Sequence, residues 1–308
     1  MNKYGSLFVF VVAGLSIGPA PAQSPEEKPL PPKTAGERLD GPPVVSAKGW
    51  CVADGKTGAV LRGAKERDAL PMASTTKIMT AYLVLKLVAQ DPKVLDEVLT
   101  FSEAADKTPG STSALKAGDR VTVRDLLYGL LLPSGNDAAH AFAEHFGSRF
   151  KGESKEPGAV ATFVAEMNRT AKGLKMEETK YLDPHGLGLN VASPRDLATL
   201  AFTAMKDETF ARCVQTRRHK CTVTDKDGKK REVTWTNTNR LLEMEGYEGI
   251  KTGTTTAAGS CLVSCGTHNG DRVFVVVLGC TSNDSRYTDT RNLYRWAWTE
   301  RAAKKDKK

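Results

Sequence analysis

The stretch Pro71-Met72-Ala73-Ser74-Thr75-Thr76-Lys77 runs straight into Ile78-Met79-Thr80-Ala81-Tyr82-Leu83-Val84-Leu85-Lys86-Leu87-Val88. From Ile78 to Val88 the residues are apolar nearly all round, apart from Thr80 and Lys86. That pattern predicts a helix buried in a core rather than one lying on a surface. Ser74 and Lys77 stand three apart at its head and share a face. Ser74 reads first as an N-cap, but a capping box wants Glu or Gln at position 77, and a lysine there opposes the helix dipole. A lysine held beside a positive helix end and away from water is driven toward its neutral form, and a neutral amine is what a general base needs. Ser74 is then a candidate nucleophile with its base one turn away. The four-residue pattern alone is weak: Ser113–Lys116 and Ser148–Lys151 repeat it without opening an apolar helix.

Two further motifs follow in order. Ser134-Gly135-Asn136 comes after Leu130-Leu131-Leu132-Pro133, where proline ends one helix and the polar trio begins the next. In isolation it reads equally well as a helix cap. Lys251-Thr252-Gly253, with Thr254 after it, is placed by Gly249-Ile250 at the start of a strand. Its glycine permits close approach to the backbone, and its lysine and threonine offer donors for a carboxylate. A second copy, Lys56-Thr57-Gly58, lies upstream of Ser74 in a turn and reads as turn chemistry only.

Around these motifs the chain divides by texture. Gly49 to Val60 alternates and then turns at Asp54-Gly55 and Thr57-Gly58, predicting a hairpin. From about Thr75 to Met205 helical patterns dominate: Leu126–Leu132, Ala138–Phe146, Ala159–Ala171 and Pro194–Met205, the last opened by a Ser193 cap and a first-turn proline. From Cys213 onward the sequence reads as strands, with turns at Asp225–Gly228 and Asn269-Gly270, a continuous apolar strand Val273–Leu278, and a final helix Thr288–Ala303. Strands, then helices, then strands predict an α+β fold in which a sheet carries a helical insertion.

The amino terminus has three parts: Lys3, the apolar Leu7–Ile17, and Ala20-Pro21-Ala22 as a small-residue cleavage site. This is a secretory signal, too short to span a bilayer, and predicts export with a mature chain beginning at Gln23. Residues 23–44 hold six of the fifteen prolines and read as an extended disordered spacer. The catalytic domain is expected over 45–300. Arg301–Lys308, with five bases and one acid, reads as a solvated basic tail without an apolar face to insert in a membrane.

Composition excludes several classes. With 40% hydrophobic and 26% charged residues the chain is neither disordered nor fibrous. No apolar run reaches spanning length, so a multi-pass membrane protein is excluded. A net charge of +8 without an aromatic-rich RNA-binding signature gives no support to a nucleic-acid partner. No Cys-x-x-Cys pair exists, so a structural zinc site is not expected. His140 and His145 are five apart rather than four, which removes the zinc-protease helix spacing. His185 reads as structural, while His219 and His268 fall in polar turns. In an oxidising compartment Cys213 and Cys221 are the pair expected to bridge, closing a short loop, whereas Cys261 and Cys265 read as buried free thiols on one strand.

Taken in order, Ser74-x-x-Lys77, Ser134-x-Asn136 and Lys251-Thr252-Gly253 resemble the signature of the penicillin-binding serine enzymes, and over about 45–300 the chain is most similar to the low-molecular-weight D-alanyl-D-alanine carboxypeptidases. Asp183-Pro184-His185-Gly186-Leu187 and Asn239 through Gly259 add to the resemblance. It implies a β-lactamase/transpeptidase-like fold, an antiparallel sheet flanked by helices with an all-helical subdomain over about 75–205. It also implies a nucleophilic Ser74 activated by Lys77, with Ser134 relaying the proton to the leaving group and Asn136 holding the substrate backbone. Lys251, Thr252 and Arg286 would bind the terminal carboxylate, and the N–H groups of Ser74 and Thr254 would form the oxyanion hole. Lys251 would also help keep Lys77 neutral by like-charge repulsion. The implied partners are peptidoglycan stem peptides, with β-lactams as covalent inhibitors, and no cofactor is required. The larger members carry a β-rich second domain and a C-terminal amphipathic membrane helix. This sequence stops near the catalytic domain's expected end, so no stable membrane anchor is expected. A D,D-endopeptidase needs the same residues, and a non-catalytic wall-binding scaffold needs the same fold. A class A β-lactamase needs a Glu-x-x-Leu-Asn pattern, which Glu166-Met167-Asn168 does not supply.

Overall fold

The computed structural model describes residues 41–150 and 157–305. The expected secretory signal and residues 23–40 of the spacer lie outside the described residues, as does the end of the basic tail. In chain order the strands and helices are β1 (Gly49–Asp54), β2 (Val60–Ala64), β3 (Leu70–Pro71), α1 (Lys77–Gln90), β4 (Val98–Thr100), α2 (Glu103–Asp106), β5 (Arg120–Thr122), α3 (Val123–Leu131), α4 (Asn136–Phe146), α5 (Ala159–Gly173), β6 (Val191–Ala192), α6 (Pro194–Ala204), α7 (Glu208–Gln215), β7 (Arg218–Thr224), β8 (Lys230–Thr236), β9 (Tyr247–Thr255), β10 (Gly259–His268), β11 (Asp271–Cys280) and α8 (Asn283–Lys305).

The apolar run Val273–Leu278 lies in β11, the middle strand of an antiparallel sheet ordered β2-β1-β11-β10-β9. Its residues are buried on both faces, as a continuous rather than alternating apolar strand requires. On one face Phe274 meets Phe202 of α6 edge-on, and Cys51 Sγ sits 3.2 Å from the carbonyl of Pro194. On the other, Trp50 packs on Trp296 of α8, and Ser264 Oγ lies 3.0 Å from the hydroxyl of Tyr294. Helices therefore cover both faces, and β9 forms an edge. The turn between β1 and β2 is set by Asp54, whose Oδ1 accepts from the N–H groups of Lys56 and Thr57, so the upstream Lys-Thr-Gly copy is turn chemistry.

The helical insertion is built around α1. Its Lys77–Leu85 segment is buried apart from Tyr82, as the all-round apolar reading requires. The four helical segments read from periodicity are α3, α4, α5 and α6. The expected all-helical subdomain is corrected in one respect: a second antiparallel sheet, β4-β5-β7-β8, accompanies the helices. Two of its strands are three residues long, too short for alternation to register.

Other corrections concern boundaries and cysteines. Cys213 belongs to α7, so strands begin only at Arg218, and His219 lies on β7 rather than in a turn. All six cysteines are free and buried, and the expected Cys213–Cys221 bridge is absent. One thiol is carried on a helix and the other on the following strand, and each is buried as a small apolar side chain. The last helix begins at Asn283, five residues before the predicted start. It also continues through Arg301, so the domain does not end at 300. Arg301 is no solvated end: Nε donates to Asp271 at 2.6 Å and the guanidinium also reaches Asp54 at 2.8 Å. Among the described residues no helix is long and apolar enough to cross a membrane.

Candidate active site

A 3-10 turn, Ala73–Thr76, delivers Ser74 to the head of α1, where Thr75 and Thr76 donate their hydroxyls back to the carbonyls of Met72 and Ala73. Ala73 sits at φ 48, a left-handed conformation that costs a non-glycine residue about 1 kcal/mol or more and persists only where the surroundings enforce it. The Lys77 amine is fully buried, with Nζ 2.9 Å from Ser74 Oγ, 2.7 Å from Asn136 Oδ1 and 2.7 Å from the carbonyl oxygen of His185.

Those three partners define what the amine can do. The Asn136 and His185 oxygens only accept, so they take the two hydrogens of a neutral amine, which leaves its lone pair facing the Ser74 hydroxyl. The neutral state is favoured: burial pushes Lys77 well below the ordinary lysine range, and Lys251 pushes it further by like-charge repulsion. Asp183 and Asp137 pull the other way without prevailing.

Pro133 separates α3 from α4, and Ser134 in the gap takes φ 69. Its hydroxyl is buried and has no hydrogen-bond partner among the described residues. A strained backbone carrying an unpaired buried hydroxyl two residues from Asn136 is the expected state of a group awaiting a substrate or a proton. Gly135 follows because a side chain there would collide with the Asp137 carboxylate and the Gly129 carbonyl. Asp137 in turn ties the neighbouring loop to α4, accepting from Ser113 N at 2.8 Å and from the hydroxyls of Ser113 and Thr112. Asn136 faces inward: Oδ1 accepts from Lys77 and Nδ2 donates to the Pro109 carbonyl at 2.7 Å. To hold a substrate carbonyl, Nδ2 must exchange Pro109 for it.

Lys251, Thr252, Gly253 and Thr254 lie within β9, four or more residues past its start rather than at it, along the edge that borders the Ser74 turn. A Cβ on Gly253 would come 2.9 Å from Ser74 N and 3.1 Å from the Met72 carbonyl, so only glycine lets strand and turn approach this closely. Lys251 is buried and donates to the Thr252 carbonyl at 3.1 Å. Burial, reinforced by the charge of Arg286, brings its amine down to about 7. Thr252 shares a 2.7 Å hydrogen bond with Thr238. Arg286, from the first turns of α8, donates to Thr254 Oγ1 at 2.9 Å and to the Gly253 carbonyl at 3.3 Å. The structure thus brings Ser74, Lys77 and Asn136 into direct contact, sets the Lys251–Thr254 edge against Ser74, and attaches Arg286 to that edge.

What sequence reasoning missed is the direct contribution of the loop 181–190, which the sequence marks only through the resemblance of Asp183–Leu187. His185 contributes a backbone carbonyl, not its ring, and Thr80 donates to the Pro184 carbonyl at 2.5 Å. The loop is wound on Asp183, which accepts from the N–H groups of His185, Gly186 and Gly188, and on Asn190, which accepts from Leu182 N and donates to Thr76 Oγ1. Burial alone would raise the Asp183 carboxyl, but His185 and the backbone donors overcome it and hold the group well below the usual carboxylate range. Glu166 lies elsewhere, buried on α5 between Lys86 and Arg169, and is in no position to serve Ser74 as a water-activating base.

The fold and its Ser–Lys pair together define a serine-type peptidase. The family model described as D-alanyl-D-alanine carboxypeptidase matches residues 37–282, and the chain belongs to that family. It is 37% identical to a D-alanyl-D-alanine carboxypeptidase of Streptomyces sp. strain K15, over 83% of this chain and 88% of that one. It is 31% identical to the carboxypeptidase DacC of Escherichia coli, over 87% of this chain but only 65% of the longer relative. A D-alanyl-D-alanine endopeptidase of Pseudomonas aeruginosa is 33% identical over 80% of this chain and 76% of its own. Among solved structures, the Streptomyces K15 DD-transpeptidase superposes with a TM-score of 0.78 at 36% identity, covering 84% of this chain and 99% of that one.

Proposed function

We propose that the protein is a serine D,D-carboxypeptidase that removes the terminal D-Ala of peptidoglycan stem peptides through an acyl-enzyme on Ser74. The observation that carries this reading is the buried Lys77 amine 2.9 Å from Ser74 Oγ, in a chain of the carboxypeptidase family. Lys77 takes the hydroxyl proton as Ser74 Oγ attacks the carbonyl carbon of the penultimate D-Ala. The resulting oxyanion faces the N–H groups of Ser74 and Thr254, donors worth roughly 3–4 kcal/mol each in the transition state. The C–N bond breaks as the proton passes through Ser134 to the leaving amine. Water then attacks the ester carbonyl, giving its proton to Lys77, and Ser74 recovers its hydroxyl as the shortened peptide leaves. Lys251, Thr252 and Arg286 hold the terminal carboxylate, Asn136 holds the substrate backbone, and Gly253 keeps β9 close enough for both. No metal or organic cofactor enters these steps.

β-Lactams present the same carbonyl in a strained amide and would acylate Ser74, acting as covalent inhibitors. The three-part amino-terminal signal supports work outside the cytoplasm, in the periplasm or cell wall. A second reading, cleavage of peptidoglycan cross-links, is favoured by the relative named as an endopeptidase. The deciding experiment measures D-alanine released from a peptide ending in D-Ala-D-Ala by wild type and by Ser74→Ala, with cross-linked muropeptides run in parallel. Release that requires Ser74 is expected. No release from folded wild type would remove simple carboxypeptidase activity on that peptide, and cleavage of the cross-linked substrate alone would establish the second reading.

A further inference from the structure

His219 and Cys221 are two apart on β7 and so project from the same face of the strand. Asp125 comes to meet them from the first turn of α3. Its Oδ1 lies 2.8 Å from His219 Nε2, and the carboxylate, imidazole and thiol ligand atoms all lie within 4.8 Å of one another. The group stands apart from the peptidase machinery, none of whose proposed steps uses it. We propose that Asp125, His219 and Cys221 form a binding site for a single divalent transition-metal ion of zinc type.

Chemistry and geometry both select that class. One imidazole, one thiolate and one carboxylate are the ligand types of a borderline-soft ion, whereas calcium and magnesium require oxygen donors throughout. Three protein ligands leave a fourth tetrahedral position for water, and Asp125 and His219 are each about a quarter exposed, which gives the ion an entry path. Tetrahedral zinc with bonds of about 2.0–2.3 Å places its ligand atoms roughly 3.3–3.8 Å apart. The 2.8 Å and sub-4.8 Å separations bracket that spacing.

The surroundings hold the ligands as metal ligands are usually held. Thr122 donates its hydroxyl to Asp125 Oδ2 at 2.7 Å, which leaves Oδ1 turned to the site. The His219 ring is fixed between aromatics, stacked on Tyr128 with centroids 3.7 Å apart and nearly parallel to Trp235 at 6.2 Å. Burial, reinforced by Asp125, pushes the Cys221 thiol up to about 12, against the opposing pull of Arg231, which is itself ion-paired with Asp119, so the thiolate forms only as the ion binds and displaces the proton. A bound ion would add to the existing link between β7 and α3, which the His219–Asp125 hydrogen bond and the His219–Tyr128 stack already make. Sequence spacing could not reveal this, because the third ligand comes from a helix nearly a hundred residues earlier.

The test uses purified protein, stripped of metal and kept under a phosphine reductant, titrated with Co2+ alone and then with Zn2+. One equivalent of Co2+ is expected to give a thiolate-to-cobalt charge-transfer absorption that Zn2+ abolishes, and Zn2+ is expected to raise the melting temperature. Cys221→Ser should lose the charge-transfer band. Its melting temperature in chelator and its D-alanine release serve as fold controls. His219→Gln gives a second variant, expected to weaken Co2+ affinity at least tenfold. Absence of the band in folded wild type, or its persistence in Cys221→Ser, would overturn the proposal.

Discussion

Lys77 can act as a base only while its amine is uncharged, and Lys251 can attract a carboxylate only while its own is charged. Burial pushes both amines down, Lys251 to about 7, so the two requirements meet in a limited pH range. We expect kcat/KM to fall on the acid side as Lys77 gains a proton and on the alkaline side as Lys251 loses one, from about pH 7 in the free enzyme. Lys251→Arg keeps its charge and should carry the alkaline limb to higher pH. An unmoved limb would show that another group titrates there. The same shift has a stability consequence. Between about 7 and the ordinary lysine value the unfolded chain binds the proton that folded Lys251 has lost, so stability rises with pH across that window and the burial cost is fully present below it. Lys251→Met should therefore be more stable than wild type at pH 7 in chemical denaturation, by a margin that shrinks toward pH 9. Gly253→Ala tests the neighbouring contact. Its Cβ would meet Ser74 N at 2.9 Å and force β9 away from the turn, so kcat/KM should drop at least about tenfold, or about 1.4 kcal/mol, with little change in Tm.

At the scale of elements, what was legible in the sequence were contributions made by side chains at short, fixed spacings. Ser74 with Lys77, Ser134 with Asn136, and Lys251 with Gly253 each announce themselves locally, and α1 announces itself by being apolar all round. The loop 181–190 was read only through its resemblance, because its contribution to Lys77 is a carbonyl oxygen, which every residue possesses. Of the β4-β5-β7-β8 sheet, β7 and β8 were legible as strands about the Asp225–Gly228 turn, but β4 and β5 were missed for a related reason: three residues each, they exist because neighbours pair them, not because their sequences alternate. The loop nevertheless has a residue that can be tested. Asp183 gathers three backbone N–H groups and so fixes where the His185 carbonyl sits, and its charge also raises the Lys77 amine. Asp183→Asn removes the charge and loosens the loop. We expect kcat to fall about tenfold, roughly 1.4 kcal/mol, while the acid limb of the pH–rate profile moves to lower pH. A loss of activity with the limb in place would assign Asp183 a purely structural part.

Across the whole molecule, the order of strands, helices and strands carried the α+β class, but not where the fold ends. The basic residues from Arg301 onward looked like a solvated tail because charge density alone was visible; the acids that receive Arg301 lie on β1 and β11, hundreds and tens of residues away. Arg301 makes a two-armed contact with Asp271 and a third hydrogen bond to Asp54, all partly buried, and so clamps the far end of α8 to the turns at one end of the central sheet. The near end of the same helix carries Arg286 to β9. If α8 is a rigid strut, its two ends serve different purposes: loss of the clamp should cost stability, and loss of the other end should cost substrate binding. Arg301→Ala is expected to destabilise by about 1–3 kcal/mol, since it leaves two carboxylates without their cation, and to leave D-alanine release at low temperature within about twofold of wild type. Arg286→Ala is expected to raise KM with a smaller change in Tm. Thermal melts and steady-state kinetics on both variants check the division, and a Tm loss in Arg286→Ala as large as that in Arg301→Ala would show that the helix is held along its length rather than clamped at one end.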